Sequence, residues 1–387
     1  MAGDKLEKDL QALRAAIDAV DDEILALIHR RAALAADVGA HKHGTGSAPF
    51  YVPSREAQII RRLLAENAKH AVNEHVAMVP DEAVHGIFRE IIGACLALEH
   101  PLTIAYLGPE GTFSHAAASR QFGSMPRYHP CSSLRMVFDE VESGRAGYGV
   151  VPVENAFEGA VTHTLDLFAE TDRDVYICAE ILLSINEHLF SYAAKLEDIR
   201  LVLSHPQPLA QCKQWLETNL PWATTMETSS TVRAAQMIDE ARQHPETSGQ
   251  VDWQHAAAIG PYSIVDHAQL PLFCKDIEDH HGNTTRFYVI GKHDSPSSGE
   301  DRTALVMSIR DEPGALHMLI KPLASRGIGL TRIESRPSKR KLWEYVFFID
   351  LIGHRDDPAV AEALDEIQAM PGTWLKVLGS YPVSRKL

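Results

Sequence analysis

A basic residue stands where the surrounding sequence pattern places aliphatic side chains. From Leu6 onward, apolar residues recur at alternating steps of four and three, as in a long helix that packs against other helices. Arg31 interrupts this seam, Lys42 follows about three turns later near the same face, and Arg14 lies beside the seam. A cation in a helical core is costly unless an anion meets it there. The pattern predicts a buried pocket for a small polyanion; an ion pair within the helices is the alternative.

Composition narrows the class of protein. The chain has 387 residues, 45% apolar and 23% charged, which is typical of a soluble protein with two or three domains. It has no apolar stretch of membrane-spanning length, and its charged N-terminus does not resemble a signal peptide. Five scattered cysteines favour the cytoplasm, and a net charge of −15 argues against nucleic-acid binding. We therefore expect a cytoplasmic protein with no metal, no organic cofactor, and no nucleic-acid or membrane partner.

The N-terminal region, residues 1–100, has the pattern of three helices. The first is expected to end near Ala40, and Ser54 is expected to cap the second. Three helices, one of about 35 residues, do not form a compact monomeric core. The pattern therefore predicts an all-α domain that forms an intertwined homodimer, or a higher homo-oligomer.

Two further regions follow. Residues 101–296 alternate short apolar runs with helical segments, which predicts a bilobed α/β domain with a largely parallel sheet and a ligand cleft at the strand ends. Residues 297–387 follow the β-α-β-β-α-β order of an α+β, ferredoxin-like domain. The polar run at 293–302 is expected to be the linker between them.

Six motifs in one order point to a family. They are GPEGTFSHAA at 108–117, VPVEN at 151–155, SHPQPLAQC at 204–212, TTRF at 284–287, GALH at 314–317 and ESRP at 334–337. With them, the whole chain resembles the bifunctional P-protein family, in which chorismate mutase is joined to prephenate dehydratase and a C-terminal ACT domain. The resemblance implies an enzyme of phenylalanine biosynthesis. It would rearrange chorismate to prephenate and convert prephenate to phenylpyruvate, under feedback inhibition by L-phenylalanine.

The resemblance places six residues of the mutase site in the helical region: Arg14, Arg31, Lys42, Arg55, Glu56 and Glu99. It implies that Arg31, with Arg14 from the partner subunit, clamps the two carboxylates of chorismate. Lys42 would donate to the ether oxygen, and Glu56 would hold the ring hydroxyl. Relatives often carry glutamine where Glu99 stands, and a glutamate donates there only when protonated. We expect its pKa to be raised and the mutase rate to fall as pH rises; the alternative is a solvated helix end.

The dehydratase motifs supply a second set: Glu154, Asn155, Ser204, Gln211, Ser230, Thr231, Thr285 and Arg286. By resemblance, Thr285 contacts or helps to protonate the departing hydroxyl. A threonine hydroxyl is a poor acid, so it would act through a neighbour or a water. Arg286 would bind a substrate carboxylate or form a structural salt bridge. The others would contact substrate, and Ser230 and Thr231 stand at a helix start suited to an anion.

The C-terminal motifs give an expected phenylalanine site: Asp311, Gly314, Ala315, Leu316, Glu334, Ser335 and Arg336. The first four stand where a strand gives way to a helix, so backbone N–H groups could take the carboxylate of the amino acid. The last three would lie across a pair of ACT domains. Three alternatives stay open: a plain dimerisation module for this domain, and for the whole chain a noncatalytic amino-acid-sensing or solute-binding protein or an arogenate-preferring dehydratase.

Overall fold

A computed structural model describes most of the chain, namely residues 2–45, 49, 51–70, 79–170, 173–244, 252–310, 312–337 and 345–384. The chain divides into two compact units. The helical unit comprises 1–52, 60–102 and 122–127, and the sheet unit comprises 53–59, 103–121 and 128–387. In the part of the chain that is described, no helix has the length and apolar character needed to cross a membrane.

Three helices make up the N-terminal region: α1 (Ala2–Thr45), α2 (Pro53–His70) and α3 (Asp81–Glu99). The expected end of α1 near Ala40 is wrong, because the isolated glycine at position 44 costs only about 1 kcal/mol in a long helix. The expected cap is also wrong. Proline fits the first helical position, so α2 begins at Pro53 and Ser54 lies inside its first turn.

The apolar seam of α1 is exposed within the single chain. Its side chains are between 46% and 62% exposed: Leu10, Leu13, Ile17, Val20, Ile24, Leu27, Leu34 and Val38. Exposed apolar stripes of this length are typical of interaction surfaces. The helix packs on α3 near its C-terminal end, where a Cβ added to Gly39 would lie 3.2 Å from the Glu99 Cβ. A side chain at position 39 would therefore require the Glu99 side chain to shift by a few tenths of an ångström.

The first lobe of the sheet unit is a mixed sheet in the order β2-β1-β3-β11-β5, with β4 beside β3. Its strands are β1 (Thr103–Leu107), β2 (Arg127–Cys131), β3 (Tyr148–Asn155), β4 (Gly159–Ala160), β5 (Tyr176–Ser184) and β11 (Thr284–Gly291). Its helices are α4 (Phe113–Phe122), α5 (Leu134–Glu142) and α6 (Thr162–Ala169). The expectation of a largely parallel sheet is wrong, because the returning strand β11 inserts antiparallel between β3 and β5.

The second lobe has the sheet order β10-β6-β9-β7-β8. Its strands are β6 (His188–Ser191), β7 (Leu201–Ser204), β8 (Thr224–Glu227), β9 (Ala256–Gly260) and β10 (Leu272–Cys274). Its helices are α7 (Pro206–Gln211), α8 (Lys213–Asn219) and α9 (Thr231–Gln243). The two lobes meet at Gly111 (φ +76°), where a Cβ would lie 2.4 Å from Val232 of α9. Only glycine fits there without displacing the second lobe.

The C-terminal domain has the expected order of elements. They are β12 (Asp301–Ser308), α10 (Ala315–Ser325), β13 (Leu330–Pro337), β14 (Tyr345–Ile352), α11 (Pro358–Gln368) and β15 (Trp374–Pro382). The antiparallel sheet runs β13-β14-β12-β15, and both helices share a core with one of its faces.

This C-terminal domain packs directly on the first lobe. Val306 and Tyr381 share a buried core with Phe168 and Ile177 of the first lobe. The segment at 293–302 is not an exposed linker, because Asp301 is buried and accepts a 2.6 Å hydrogen bond from Ser298 Oγ. The shared core joins the C-terminal domain to the sheet of the first lobe.

Candidate active sites

Three of the predicted mutase residues come together between α1 and α3. Arg31 Nη1 donates to the carbonyl oxygen of Ile91 at 3.5 Å. Lys42 Nζ lies 3.7 Å from Glu99 Oε2, with the two side chains 20% and 11% exposed. Burial raises the pKa of Glu99, and the charges of Lys42 and Arg31 oppose this effect. The direction agrees with the expectation from the sequence.

The other three predicted mutase residues lie on α1 and α2. Arg14 is exposed on α1, seventeen residues before Arg31, which is about 25 Å along a helix. Arg55 is exposed and Glu56 is buried in the first turn of α2, which belongs to the sheet unit. A single chain therefore does not bring Arg14 to Arg31.

A cavity of about 380 Å³ lies between the two lobes of the sheet unit. Its lining comes from the loop after β1, the ends of β3 and β5, the start of β11, and helices α7 and α9. It includes Gly108, Thr112, Ser114, Asn155, Glu158, Glu187, His205, Gln207, Gln211, Ser229, Ser230, Thr231 and Thr285. The volume suits a small organic ligand, and mixed polar and apolar walls are usual for such sites.

Asn155 and Thr285, which were both predicted for the dehydratase site, meet inside this cavity. Asn155 Nδ2 donates to Thr285 Oγ1 at 2.9 Å. The amide is fixed by its oxygen, which accepts from the backbone N–H of Phe157 at 3.0 Å and of Glu158 at 3.1 Å. Because Thr285 Oγ1 accepts from Asn155, its own hydrogen can point to a ligand. The neighbouring strands β3 and β11 hold both residues in register.

Arg286 and Glu154 do not line the cavity. Successive side chains of a strand point to opposite faces, so Arg286 leaves the face that carries Thr285. Its Nε lies 3.0 Å from Glu180 Oε2, and its Nη1 lies 2.8 Å from Asp350 Oδ2 and 3.6 Å from Glu154 Oε2. The geometry is that of the salt bridge that the sequence left as the alternative for Arg286. Because neither side chain lines the cavity, the substrate contacts expected of Arg286 and Glu154 have no support from this geometry and stay predictions.

Ser204 also points away from the cavity. It is fully buried, and its Oγ donates to the carbonyl oxygen of Ile259 at 2.6 Å, so it joins β7 to β9. Gln211 does line the cavity, and its Nε2 donates to Glu158 Oε1 at 3.1 Å. Gln207 donates to the same carboxylate at 2.8 Å, so the first lobe is tied to α7 of the second.

The start of α9 faces the cavity as expected. Ser230 caps the helix, with its Oγ accepting from Arg233 N at 3.0 Å, and Thr231 is the first helical residue. Both residues line the cavity. Backbone N–H groups in a first helical turn carry partial positive charge and suit a carboxylate.

Sequence reasoning missed a buried acid in the cavity wall. Glu187 is fully buried and lines the cavity. Burial, reinforced by the charge of Glu278, raises its pKa well above the usual value. No motif covers this residue, and its neighbours Asn186 and His188 are polar as well, so the local sequence carries no signal of its burial.

The expected phenylalanine site divides between α10 and β13. Gly314 has φ +86° just before α10, Ala315 is buried and Leu316 half-buried at its start. Asp311 lies outside the described residues. On β13, Glu334 is half-buried and Ser335 exposed.

Arg336 makes an ion pair within the chain, and its expected position across a pair of ACT domains stays a prediction. Its Nη2 lies 3.0 Å from Asp166 Oδ1 on α6. This ion pair joins β13 of the C-terminal domain to the first lobe. As for metals, the residues with described side chains contain no group of three or more histidine, cysteine, aspartate or glutamate side chains that could hold an ion.

Comparison with known proteins agrees with this architecture. Residues 13–100 match the family model for chorismate mutase type II, residues 104–295 that for prephenate dehydratase, and residues 303–368 that for the ACT domain. The crystal structure of prephenate dehydratase from Arthrobacter aurescens, in complex with L-Phe, superposes with a TM-score of 0.63 at 33% identity. That superposition covers 73% of this chain and 90% of the other.

Two relatives align with nearly the whole chain. The bifunctional chorismate mutase/prephenate dehydratase of Aquifex aeolicus is 44% identical over 375 residues, covering 97% of this chain and 98% of that protein. The protein of the same description from Pseudomonas aeruginosa is 42% identical over 383 residues, with the same coverage. The chain therefore belongs to the family of bifunctional chorismate mutase/prephenate dehydratases with a C-terminal ACT domain.

Proposed function

We propose that Arg31, Lys42 and Glu99 belong to the site that rearranges chorismate to prephenate, and that the cavity around Thr285 converts prephenate to phenylpyruvate. The three matched domains and the bifunctional relatives support both activities and regulation through the ACT domain, so the chain is a bifunctional enzyme of phenylalanine biosynthesis. The observation that carries the residue assignment is the Asn155–Thr285 hydrogen bond, which holds two motif residues in one cavity.

The mutase reaction is a concerted rearrangement that needs a held conformer and stabilised charge rather than a covalent step. Arg31 supplies a guanidinium for a substrate carboxylate, and Lys42 supplies a point charge for the ether oxygen. Protonated Glu99 would donate to the same oxygen. In the free enzyme Lys42 and Glu99 face each other at 3.7 Å, so substrate would enter between them.

The mutase site is complete only in a homodimer. The exposed seam of α1 would be buried against a second copy of the chain, as for other exposed apolar helix faces. Arg14 lies on this same helix, about 25 Å from Arg31, so the partner subunit would supply it. Burying eight aliphatic side chains on each copy gives the driving force for the assembly.

The dehydratase reaction removes water and carbon dioxide, and the ring becomes aromatic as both leave. The Thr285 hydroxyl, fixed by Asn155, would donate to the departing hydroxyl of prephenate. Ser230 and Thr231 at the start of α9 would hold one carboxylate, and Gln211 would hold another polar group of the substrate.

Phenylalanine would bind where α10 begins, with the glycine conformation at Gly314 presenting backbone N–H groups to its carboxylate. Inhibition requires that phenylalanine bind one arrangement of the catalytic lobes more tightly than another. The ion pairs Arg336–Asp166 and Arg286–Asp350 would carry this preference, because each joins the sensor domain to the first lobe.

One sample tests the proposal. The purified chain is given chorismate, and its ultraviolet absorbance is followed with and without L-phenylalanine while its mass in solution is measured. We expect chorismate to disappear, phenylpyruvate to form, phenylalanine to slow the second step, and a dimer in solution. A monomer with full mutase activity would refute the shared site, and loss of chorismate without phenylpyruvate would refute the dehydratase assignment. A cytoplasmic location stays a prediction.

A further inference from the structure

Glu187 occupies the crossing from the first lobe to the second. It follows β5 and immediately precedes β6. Ser184 of β5 pairs with Thr284 of β11, and Ile185 N donates to the Asn283 carbonyl oxygen at 2.9 Å. The strand register thus holds the segment 185–187 beside the start of β11, where Thr285 lines the same cavity.

The surroundings of the Glu187 carboxyl disfavour its ionised form. Glu187 is fully buried, and neither of its oxygens has a hydrogen-bond partner among the residues with described side chains. The Glu278 carboxylate accepts from Glu187 N at 3.0 Å and is the charged group that acts on Glu187. A second negative charge beside Glu278, and opposite a substrate with two carboxylates, is strongly disfavoured.

Other titratable groups around this crossing do not neutralise it. The Cys212 thiol is fully buried, and burial first, with the charges of Asp279 and Glu278, raises its pKa. Asp279 accepts from the backbone N–H groups of Gln214 and Trp215. His281 Nδ1 lies 3.2 Å from Glu278 and His188 Nδ1 lies 3.6 Å from Asp276, so both rings face other acids. Glu187 therefore combines a place in the lining of the cavity with a carboxyl that has no hydrogen-bond partner among the residues with described side chains.

We propose that Glu187 is the acid that supplies the proton for dehydration, which it gives to the departing hydroxyl directly or through Thr285. The proposal rests on the dehydratase function assigned above. The Glu187 O–H bond breaks and an O–H bond forms on the ring hydroxyl, which leaves as water when its carbon–oxygen bond breaks. The bond to the ring carboxylate breaks at the same time, and its electron pair completes the aromatic ring as carbon dioxide departs. Solvent then returns one proton to Glu187.

This role supplies the neighbour that a weakly acidic threonine needs. A general acid contributes about 10²- to 10⁴-fold to a rate when it is held in place and protonated at the working pH. A buried carboxylic acid keeps its proton to higher pH than an exposed one, so it donates where an ordinary glutamate would already be ionised. Its place in the lining of the cavity and the absence of a hydrogen-bond partner among the residues with described side chains make substrate the partner that we propose.

The test replaces Glu187 by glutamine, which keeps the shape and cannot transfer a proton. For the E187Q enzyme we expect a dehydratase kcat lower by about 10²- to 10⁴-fold, with the mutase rate of the same sample as a folding control. In the parent enzyme kcat should fall as pH rises through the raised pKa of Glu187, and this limb should be missing in E187Q. E187D should retain more activity than E187Q. The matched surface change E217Q, on α8, should alter neither property.

Stability gives a second readout if E187Q is inactive. A carboxyl that stays neutral in the folded protein lowers the free energy of unfolding as the pH rises above the pKa of the same group in the unfolded chain, near 4.5. E187Q should therefore melt at a higher temperature than the parent at about pH 8, and the difference should shrink at about pH 5. A kcat for E187Q within about twofold of the parent, or an unchanged pH limb, would overturn the proposal. Failure of the parent enzyme to form phenylpyruvate would instead refute the dehydratase function itself.

Discussion

Replacing Arg286 by methionine separates two roles that the sequence left open for this residue. Its guanidinium contacts Glu180 at 3.0 Å and Asp350 at 2.8 Å, and the two carboxyl side chains are 0% and 3% exposed. Removing one member of a buried ion pair costs about 3–5 kcal/mol, because the other charge stays buried. The R286M variant should therefore lose stability rather than substrate affinity.

The remaining partners set the size of this loss. Glu180 keeps Arg302 Nη1 at 2.7 Å and the Ser384 N–H at 2.9 Å. In R286M, Asp350 would still accept the 3.0 Å hydrogen bond from the Tyr288 hydroxyl, which is an uncharged donor. The uncompensated charge is then mainly that of Asp350, so we expect the lower end of the range, about 3 kcal/mol. At about 2 °C per kcal/mol for a unit of this size, the melting temperature falls by about 6 °C.

Thermal unfolding and dehydratase kinetics on the same preparation provide the assay. Adding Asp350→Asn to R286M should recover more than half of the loss, because the orphaned charge is gone. The matched change Arg145→Met, which breaks a surface pair with Glu140, should leave the melting temperature nearly unchanged. An unchanged melting temperature with a KM for prephenate raised about tenfold or more would refute the reasoning and make Arg286 a carboxylate ligand.

Three further predictions concern the separate sites. Thr285→Val should lower the dehydratase kcat by about 10²- to 10⁴-fold, measured as phenylpyruvate formation; full activity would contradict its assignment. The mutase rate should fall between about pH 5 and pH 8, because burial raises the pKa of Glu99 and donation requires its protonated form. A flat profile, or one unchanged in E99Q, would contradict this. Gly314→Val forces φ +86° on a branched residue, at about 1–3 kcal/mol, and should raise the phenylalanine concentration needed for inhibition; unchanged inhibition contradicts the site.

Sequence periodicity predicted the elements well where local pattern decides them. The strands around Val150, Ile181, Val202 and Ile259 and the order of the ACT elements follow from apolar runs and turn residues. The insertion of β11 between β3 and β5 could not be read from the sequence. It depends on a return of the chain after an entire lobe, and such long-range pairing leaves no local signal.

The site residues show the same division. Asn155 and Thr285 were both predicted for the dehydratase site, and in the structure Asn155 Nδ2 donates a 2.9 Å hydrogen bond to Thr285 Oγ1. Arg286 and Glu154 share motifs with these residues, yet neighbouring positions of a strand face opposite sides, so a motif alone does not fix which residues meet the ligand. Glu187 was missed because its chemistry comes from burial, which depends on the packing of both lobes.

Separating the two activities within one chain tests whether the two reactions use separate sets of residues. Arg31→Ala and Thr285→Ala are assayed on chorismate and, independently, on prephenate. We expect the Arg31→Ala variant to lose chorismate turnover and still convert prephenate to phenylpyruvate, whereas the Thr285→Ala variant should convert chorismate only as far as prephenate. If both variants keep both activities, or if each loses both while remaining folded, the assignment of the two reactions to these residues is contradicted.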